Sequence, residues 1–369
     1  MTPPKKRTAG PASARATIAQ VAERAGVSRT AAGFVLSGRR DQRIAEDTWG
    51  RVERAAAELG YRPNQTARTL RTGTSGTIAM ISDYISTTSL ANAMIRGALR
   101  ELRERDLLLF TVETLGDRAV EHKVVTNLLD RQVDGFIFAT MFTREITLPA
   151  AAKGAPVVLL NCLPADGSAV SSVVPDELDA GVTAATVLLD AGHRDRVAFI
   201  GTLPPGMSGG AAWEGAAPVA LRERLAGIRS VLGPAGVDLL TVDVDTDWDP
   251  LNGRAAMARL LAAGGSPSAV ICANDALAIG AYQALREAGL SIPDEMSVVA
   301  FDDSPSAEWL LPPLTSIALP HEEMGRTAVK LLLDRPGEAM QVRQPMRLAR
   351  RASVADRREA ADPATSVPR

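Results

Sequence analysis

Two cysteines, three histidines and 4% aromatic residues are little for a chain of 369 residues, and each scarcity removes a class of protein. Cys162 and Cys272 stand far apart, with no second cysteine or histidine at ligand spacing. Neither a disulfide framework nor a metal site is expected, and both read as buried thiols. No run of about 18 apolar residues exists, so no membrane partner is expected. The opening stretch MTPPKKRTAGPASARA is basic but leads into no apolar segment. That argues against a secretory signal and makes the cytoplasm the expected compartment. A P-loop, a dinucleotide glycine fingerprint and an HExxH motif are missing, so no cofactor is expected. Gly206-Met207-Ser208-Gly209-Gly210 fits the G-x-S-x-G of a nucleophile elbow, yet the following AAWEGAAP lacks a convincing helical pattern. The available bases are His122, His193 and His321, and His193 sits in GHR just past a helix end, where a C-terminal cap explains it. No catalytic residue is assigned, and the chain is not read as an enzyme.

What is present is a chain with 46% hydrophobic and 23% charged residues, enough for two or three globular units with buried cores. The formal net charge of -2 conceals an asymmetry. Residues 1–76 hold 14 Lys and Arg against 6 Asp and Glu, while the remainder holds 27 against 37. A basic head on an acidic body suggests a polyanionic partner for the head. Residues 1–15 and 355–369 lack apolar periodicity and read as disordered tails. The texture changes near TGTSGT, residues 72–77, where the domain boundary is placed.

Upstream of that joint the pattern is helical. Thr17 and Gln20 have capping-box spacing, and Ile18, Val21, Ala22 and Ala25 follow on one helix face before Gly26. Ser28 is a good N-cap for a second helix that buries Ala32, Val35 and Leu36. Two short helices joined by a tight glycine-containing turn form a helix-turn-helix, and a third helix spans about Glu46 to Leu59. Downstream, eight apolar strand runs (77–82, 107–112, 135–139, 156–161, 196–201, 239–244, 269–273 and 297–302) alternate with amphipathic helices. The expected fold class is therefore α/β: a small all-α helix-turn-helix head, then two doubly wound parallel α/β lobes with a ligand site at the C-terminal ends of the strands.

Several separated blocks make this reading specific. ATIAQVAERAGVSRTAAGFVLSG and ELGYRPNQTARTLRTG, followed by VDGFIF, LLDAGHRDRVAFIG, RERLAGIRSVL, CANDALAIGAYQALREAGLSIPDEMSVVAFDD and PPLTSI, resemble the lactose-repressor (LacI/GalR) family in the expected order from about Ala16 to Ala355. The resemblance implies a helix-turn-helix domain over 16–61, a hinge helix and linker over 62–76, and a periplasmic-binding-protein-like effector and dimerisation domain over 77–354. It implies a transcription regulator, expected to be a repressor, acting as a homodimer or a tetramer on a pseudo-palindromic double-stranded DNA operator. In such a head, Arg29, Thr30 and Phe34 take the base-reading positions. Arg29 suits guanine O6 and N7, and Phe34 either contacts a thymine methyl or packs under the neighbouring helix. Gly33 stands where Ser is usual. Thr17, Ser28, Gly33, Asn64, Ala67, Arg68 and Leu70 complete the expected DNA-contacting set, with Asn64 capping a short hinge helix and Leu70 as the wedge between base steps.

For the body, the resemblance carries over an effector cleft formed by Asn161, Arg224, Trp248, Asn274 and Asp302. Amide, guanidinium and carboxylate groups hydrogen-bond hydroxyls and an indole stacks on a sugar face, so a sugar or glycoside is expected. Nucleosides, nucleobases and phosphosugars stay open. Asn274 and Asp302 also suit strand-end or helix caps, and Trp248 a lid or core aromatic. Two departures stand out: a long Gly- and Pro-rich stretch between Gly201 and Arg222, and His321 where an aromatic or apolar residue often follows PPLTSI.

Overall fold

The computed structural model describes residues 16–62, 69, 73–203, 218–244, 247–264 and 267–358. The chain divides between Ser75 and Gly76 into two compact units. That division falls inside the Gly/Thr/Ser stretch.

The first unit contains α1 (Ile18–Ala25), α2 (Arg29–Leu36) and α3 (Glu46–Glu58). The Thr17 hydroxyl accepts from the Gln20 N–H while the Thr17 N–H donates to Gln20 Oε1 at 2.8 Å, which closes the capping box. Gly26, at φ 65°, ends α1 in the left-handed conformation that glycine adopts without strain. Ser28 starts α2 by accepting from the Ala31 N–H at 3.1 Å. Val21, Ala22, Ala32, Val35, Trp49 and Val52 form the core. Ala32 and Val35 fix which face of α2 points inward, and Arg29 and Thr30 are exposed.

The second unit alternates strands and helices as the apolar runs require. Its first half comprises β1 (Thr77–Ser82), α4 (Asn92–Glu104), β2 (Leu108–Glu113), α5 (Arg118–Asp130), β3 (Gly135–Ile146), β4 (Val157–Pro164) and β5 (Ser171–Pro175). There follow α6 (Glu177–Asp190), β6 (Arg196–Thr202), α7 (Val219–Leu232), β7 (Asp238–Asp243), α8 (Pro250–Ala262), β8 (Ala269–Cys272), α9 (Asp275–Glu287) and β9 (Ser297–Asp302). The chain closes with α10 (Pro305–Trp309), β10 (Thr315–Ala318), α11 (His321–Asp334), β11 (Gln341–Gln344) and β12 (Arg347–Ala349). One sheet has the order β11-β5-β4-β3-β1-β2 and the other β12-β10-β9-β8-β6-β7. Every pairing is parallel except β10 with β12. All six β1 residues are buried, as a strand covered on both faces demands.

The chain passes between the lobes three times, from β5 to α6, from β10 to α11 and from β11 to β12. These crossings supply cleft residues, because a side chain there belongs to neither sheet alone.

Three helix pairs pack so closely that glycine is required on both partners. A Cβ on Gly181 of α6 would lie 2.2 Å from the Arg224 carbonyl oxygen, and one on Gly227 of α7 would lie 2.1 Å from that of Leu178. Gly97 and Gly325 do the same for α4 and α11, and Gly253 and Gly280 for α8 and α9.

The eight expected strands are all present, but β3 and β4 run on beyond their apolar runs, and β5, β10, β11 and β12 are additional. The four are three to five residues long, and β11 and β12 are sheet edges, so they carry little apolar pattern. Residues 355–358, expected to belong to a disordered tail, are tied to the body. The Ala355 N–H donates to Ser297 Oγ at 3.0 Å and the Arg357 N–H to the Ala191 carbonyl at 2.7 Å. Residues 1–15 and 359–369, Gly206–Gly210 of the formal nucleophile elbow, and the hinge residues Asn64, Ala67, Arg68 and Leu70 lie outside the described residues.

Candidate effector cleft and nucleic-acid interface

A cavity of about 300 Å³ opens between the two sheets at the C-terminal ends of their strands, and all five expected effector residues line it. They arrive from different elements: Asn161 from β4, Arg224 from α7, Trp248 from the segment before α8, Asn274 from the turn after β8, and Asp302 from the end of β9. The open polypeptide ends of two parallel sheets face a common space there, which is where such sheets bind ligands.

Their hydrogen bonds separate them into two kinds. Asn161, buried and at φ 60°, donates through Nδ2 to the Thr140 and Met141 carbonyls at 2.9 and 3.1 Å. Its Oδ1 accepts from Thr143 Oγ1 at 2.6 Å. The amide therefore shapes the 140–143 segment that forms part of the wall. Arg224 is buried in a two-pronged pair with Glu177, with Nη2 to Oε1 at 3.0 Å. It also donates to the Ala273 carbonyl at 2.6 Å and lies 4.4 Å over the Phe301 ring. Burial works against its charge, and the Glu177 carboxylate more than offsets this, so its pKa stays raised. Asn274 is the N-cap of α9: its Oδ1 accepts from the Leu277 N–H at 2.8 Å, and its Nδ2 donates to the Trp248 carbonyl at 3.1 Å. The capping reading weighed for Asn274 thus applies to the same residue that lines the cavity.

Asp302 differs. Its backbone holds φ 107°, a conformation rare outside glycine. Among the described residues its carboxylate has no hydrogen-bond donor, so the capping reading does not apply to it. Burial, with Asp275 nearby, pushes its carboxyl well above the usual range, against the pull of Arg224. Asp275, also buried, accepts from Ser316 Oγ and the Ser304 N–H at 2.7 and 2.6 Å. Trp248 is half-buried and meets Phe142 edge-on with ring centres 5.8 Å apart, so these rings join the two sides of the cleft.

Three cleft residues escaped the sequence reading. Glu177 had one usable signal: an arginine among Leu221, Leu225 and Ile228 of α7 needs a buried acid. Asp275 had none, since an acid after a capping Asn suits a helix start. His321 was visible only as a departure. It is buried, and its Nδ1 lies 3.2 Å from the Leu90 carbonyl. Its Nε2 is buried without a partner among the described residues. Burial, with Arg224 adding to it, lowers its pKa to about 4.

The capping reading of His193 holds: Gly192, at φ 87°, ends α6, and the His193 N–H donates to the Leu188 carbonyl at 3.0 Å. Its ring is buried, with Nδ1 2.8 Å from Ser268 Oγ. Both cysteines are buried thiols, and burial pushes Cys162 up to about 12.

In the first unit, Arg29 and Thr30 stand exposed at the N-terminal end of α2, with Phe34 one turn further on. Phe34 is partly exposed and outside the buried core, and the Arg39 guanidinium lies 5.3 Å from its ring centre. A Cβ on Gly33 would meet Ile18 Cδ1 at an ordinary 3.6 Å, so packing does not dictate glycine there.

A basic helix-turn-helix unit joined to a two-lobed body with a cleft defines a class: ligand-controlled DNA-binding regulators. Residues 17–64 match the bacterial regulatory proteins of the lacI family, and residues 185–354 match the periplasmic binding protein-like domain. The ribose operon repressor of Escherichia coli K12 is 31% identical over 324 residues, covering 87% of this chain and 93% of that protein. The lac repressor dimer bound to operator and an anti-inducer has the same fold, with a TM-score of 0.75 at 24% identity over 92% of this chain and 99% of that one. A LacI-family regulator from Enterococcus faecium with bound ribose aligns at a TM-score of 0.60 and 26% identity, covering 76% of this chain and 99% of that one. This chain belongs to the lacI family of bacterial regulatory proteins. It is a DNA-binding transcription regulator whose operator affinity answers to a small molecule.

Proposed function

We propose that the chain is a cytoplasmic homodimeric repressor, that its effector is a sugar, and that the effector binds in the cleft lined by Arg224, Trp248, Asn274 and Asp302. One observation carries this reading: among the described residues the cavity gathers a carboxyl group without a donor, an amide, an imidazole and two aromatic rings at the strand ends of both lobes. Hydroxyl groups satisfy such a set, and an apolar sugar face suits the rings.

In the head, Arg29 reads guanine, Thr30 a base edge or phosphate, and Phe34 a thymine methyl, the partial exposure of Phe34 favouring contact over burial. Ser28 caps α2, from which these side chains project, and Thr17 caps α1, which packs on it. Gly33 lets the backbone approach DNA. The roles of Asn64, Ala67, Arg68 and Leu70 in the minor groove rest on the family resemblance. Two heads on one dimer match two half-sites.

We read the cleft as binding rather than catalytic. Its Ser304 and Ser306 hydroxyls lie 2.7 Å from each other, and His321 Nδ1 is directed to a carbonyl, so among the described residues lining the cleft no serine–histidine pair forms; the His193–Ser268 pair is not part of that lining.

Sugar binding releases DNA through the difference in affinity between the two states, a coupling of about 1–3 kcal/mol. Selection of bound duplexes from a random pool at two salt concentrations tests the DNA half. A recovered palindrome whose binding weakens steeply with salt is expected. Failure to enrich any sequence, with or without sugars present, would contradict it.

A further inference from the structure

Among the described residues of the cleft, His321 carries a buried polar atom that its surroundings leave unsatisfied in a defined chemical sense. The Leu90 carbonyl can only accept, so the proton of His321 sits on Nδ1, and Nε2 carries the lone pair. That nitrogen is buried and has no donor among the described residues. Burial, with Arg224 adding to it, disfavours a second proton on the ring, so the imidazole stays neutral at pH 7. An unpartnered buried acceptor is costly until something supplies an N–H or O–H.

The charges around it are equally one-sided. Among the described residues, Glu177, Asp275 and Asp302 line the cavity with a single cation, Arg224, which is already engaged by Glu177 and the Ala273 carbonyl. Asp275 has its own donors in Ser304 and Ser316, whereas Asp302 has none among the described residues. A phosphate or carboxylate on a ligand would bring only acceptors to His321 Nε2, whereas a hydroxyl brings it a donor. The cavity volume of about 300 Å³ is also at the bottom of the ~300–1,000 Å³ range of small-molecule sites, which suits one ring.

We propose that His321 is a specificity-determining residue of this cleft, accepting a hydrogen bond at Nε2 from a hydroxyl of a small uncharged sugar, and that the cavity rejects phosphorylated counterparts. The inference rests on the sugar-effector reading given above. Asp302 accepts a second hydroxyl, so the preferred ligand is a polyol.

Calorimetry on the full chain separates the outcomes. The probes are ribose, arabinose, xylose, glucose, galactose, fructose and adenosine, each with its phosphate ester where one exists. The tightest uncharged probe should bind at least about a hundredfold more tightly than its ester. His321→Asn keeps an amide N–H for the Leu90 carbonyl but withdraws the outer acceptor, and should weaken that probe about tenfold. His321→Gln restores an acceptor near the Nε2 position and should bind within about threefold of the parent.

Nitrogen-15 NMR of the histidine-labelled parent protein reads the same bond without a substitution. The His321 Nε2 resonance should move on adding sugar, while His193 Nε2 stays in place. A phosphate ester that binds more tightly than its parent sugar would overturn the proposal. So would His321→Asn binding as well as the parent protein while the NMR signal stays still. Silence from every probe would instead refute the sugar-effector reading, and the proposal with it.

Discussion

The two units present their functional side chains in opposite ways. In the head, Arg29 and Thr30 are exposed and stand apart from the core that fixes α2, so recognition and folding use different residues. In the cleft, Arg224, Asn161 and Asn274 line the cavity and also hold its architecture, through Glu177, the 140–143 segment and α9. A substitution in the head can therefore abolish recognition at little cost in stability, whereas in the cleft the two losses are linked. Asp302 and His321 are the cleft residues that break this pattern.

The largest effect should come from Arg224→Leu. It leaves Glu177 buried without its partner, and removing one member of a buried pair costs about 3–5 kcal/mol. Chemical denaturation should show that loss; a change under 1 kcal/mol would mean that the buried pair adds little to stability. Gly227→Val comes next. Its side chain collides with the Leu178 carbonyl, and forcing α6 and α7 apart should cost about 3 kcal/mol or prevent folding.

A third test uses pH. Burial holds His193 and His321 near 4, with Arg357 and Arg224 respectively adding to the effect. The unfolded chain therefore takes up protons that the folded chain refuses, and the stabilisation is complete above about pH 6.5 and lost as pH falls towards 4. Each histidine contributes on the order of 3 kcal/mol over that window. The raised carboxyls of Asp275 and Asp302 act in the opposite direction. Denaturant titrations at pH 7 and pH 5 should give a shallower pH dependence in His193→Asn than in the parent, and an unchanged slope would place His193 outside the effect.

The head should show the reverse economy of effects. Arg29→Ala should cost about 1–3 kcal/mol of operator binding and relax preference at one base, with the thermal midpoint nearly unmoved. The smallest change is Ser28→Ala, which removes the cap of α2 and should cost about 1 kcal/mol of head stability.

Sequence patterns made most of this legible because they report on single elements. Capping spacing at Thr17 and Ser28, glycine at 26 and apolar runs such as β1 and β9 describe local chemistry, and the elements form where that chemistry directs. The short strands β5, β10, β11 and β12 were hidden because pairing with neighbours, rather than their own pattern, creates them. The glycines of the three helix pairs gave no signal either, since a close approach belongs to two segments at once. The same limit applies to the cleft. Asn161, Arg224, Trp248, Asn274 and Asp302 were found through family blocks, but whether a side chain is occupied by a neighbour is a tertiary fact. For that reason Asn161 and Asp302 looked alike in the sequence and differ in the fold.

The most direct measurement is operator affinity of the full chain, using the duplex recovered by selection, titrated by fluorescence anisotropy with and without a saturating neutral sugar found by calorimetry. Linkage of the cleft to the head requires the sugar to change the dissociation constant by about 5- to 150-fold, with weakening expected for a repressor released by its effector. Equal affinities in the two titrations, with the sugar shown to be bound, would contradict control of DNA binding from the cleft.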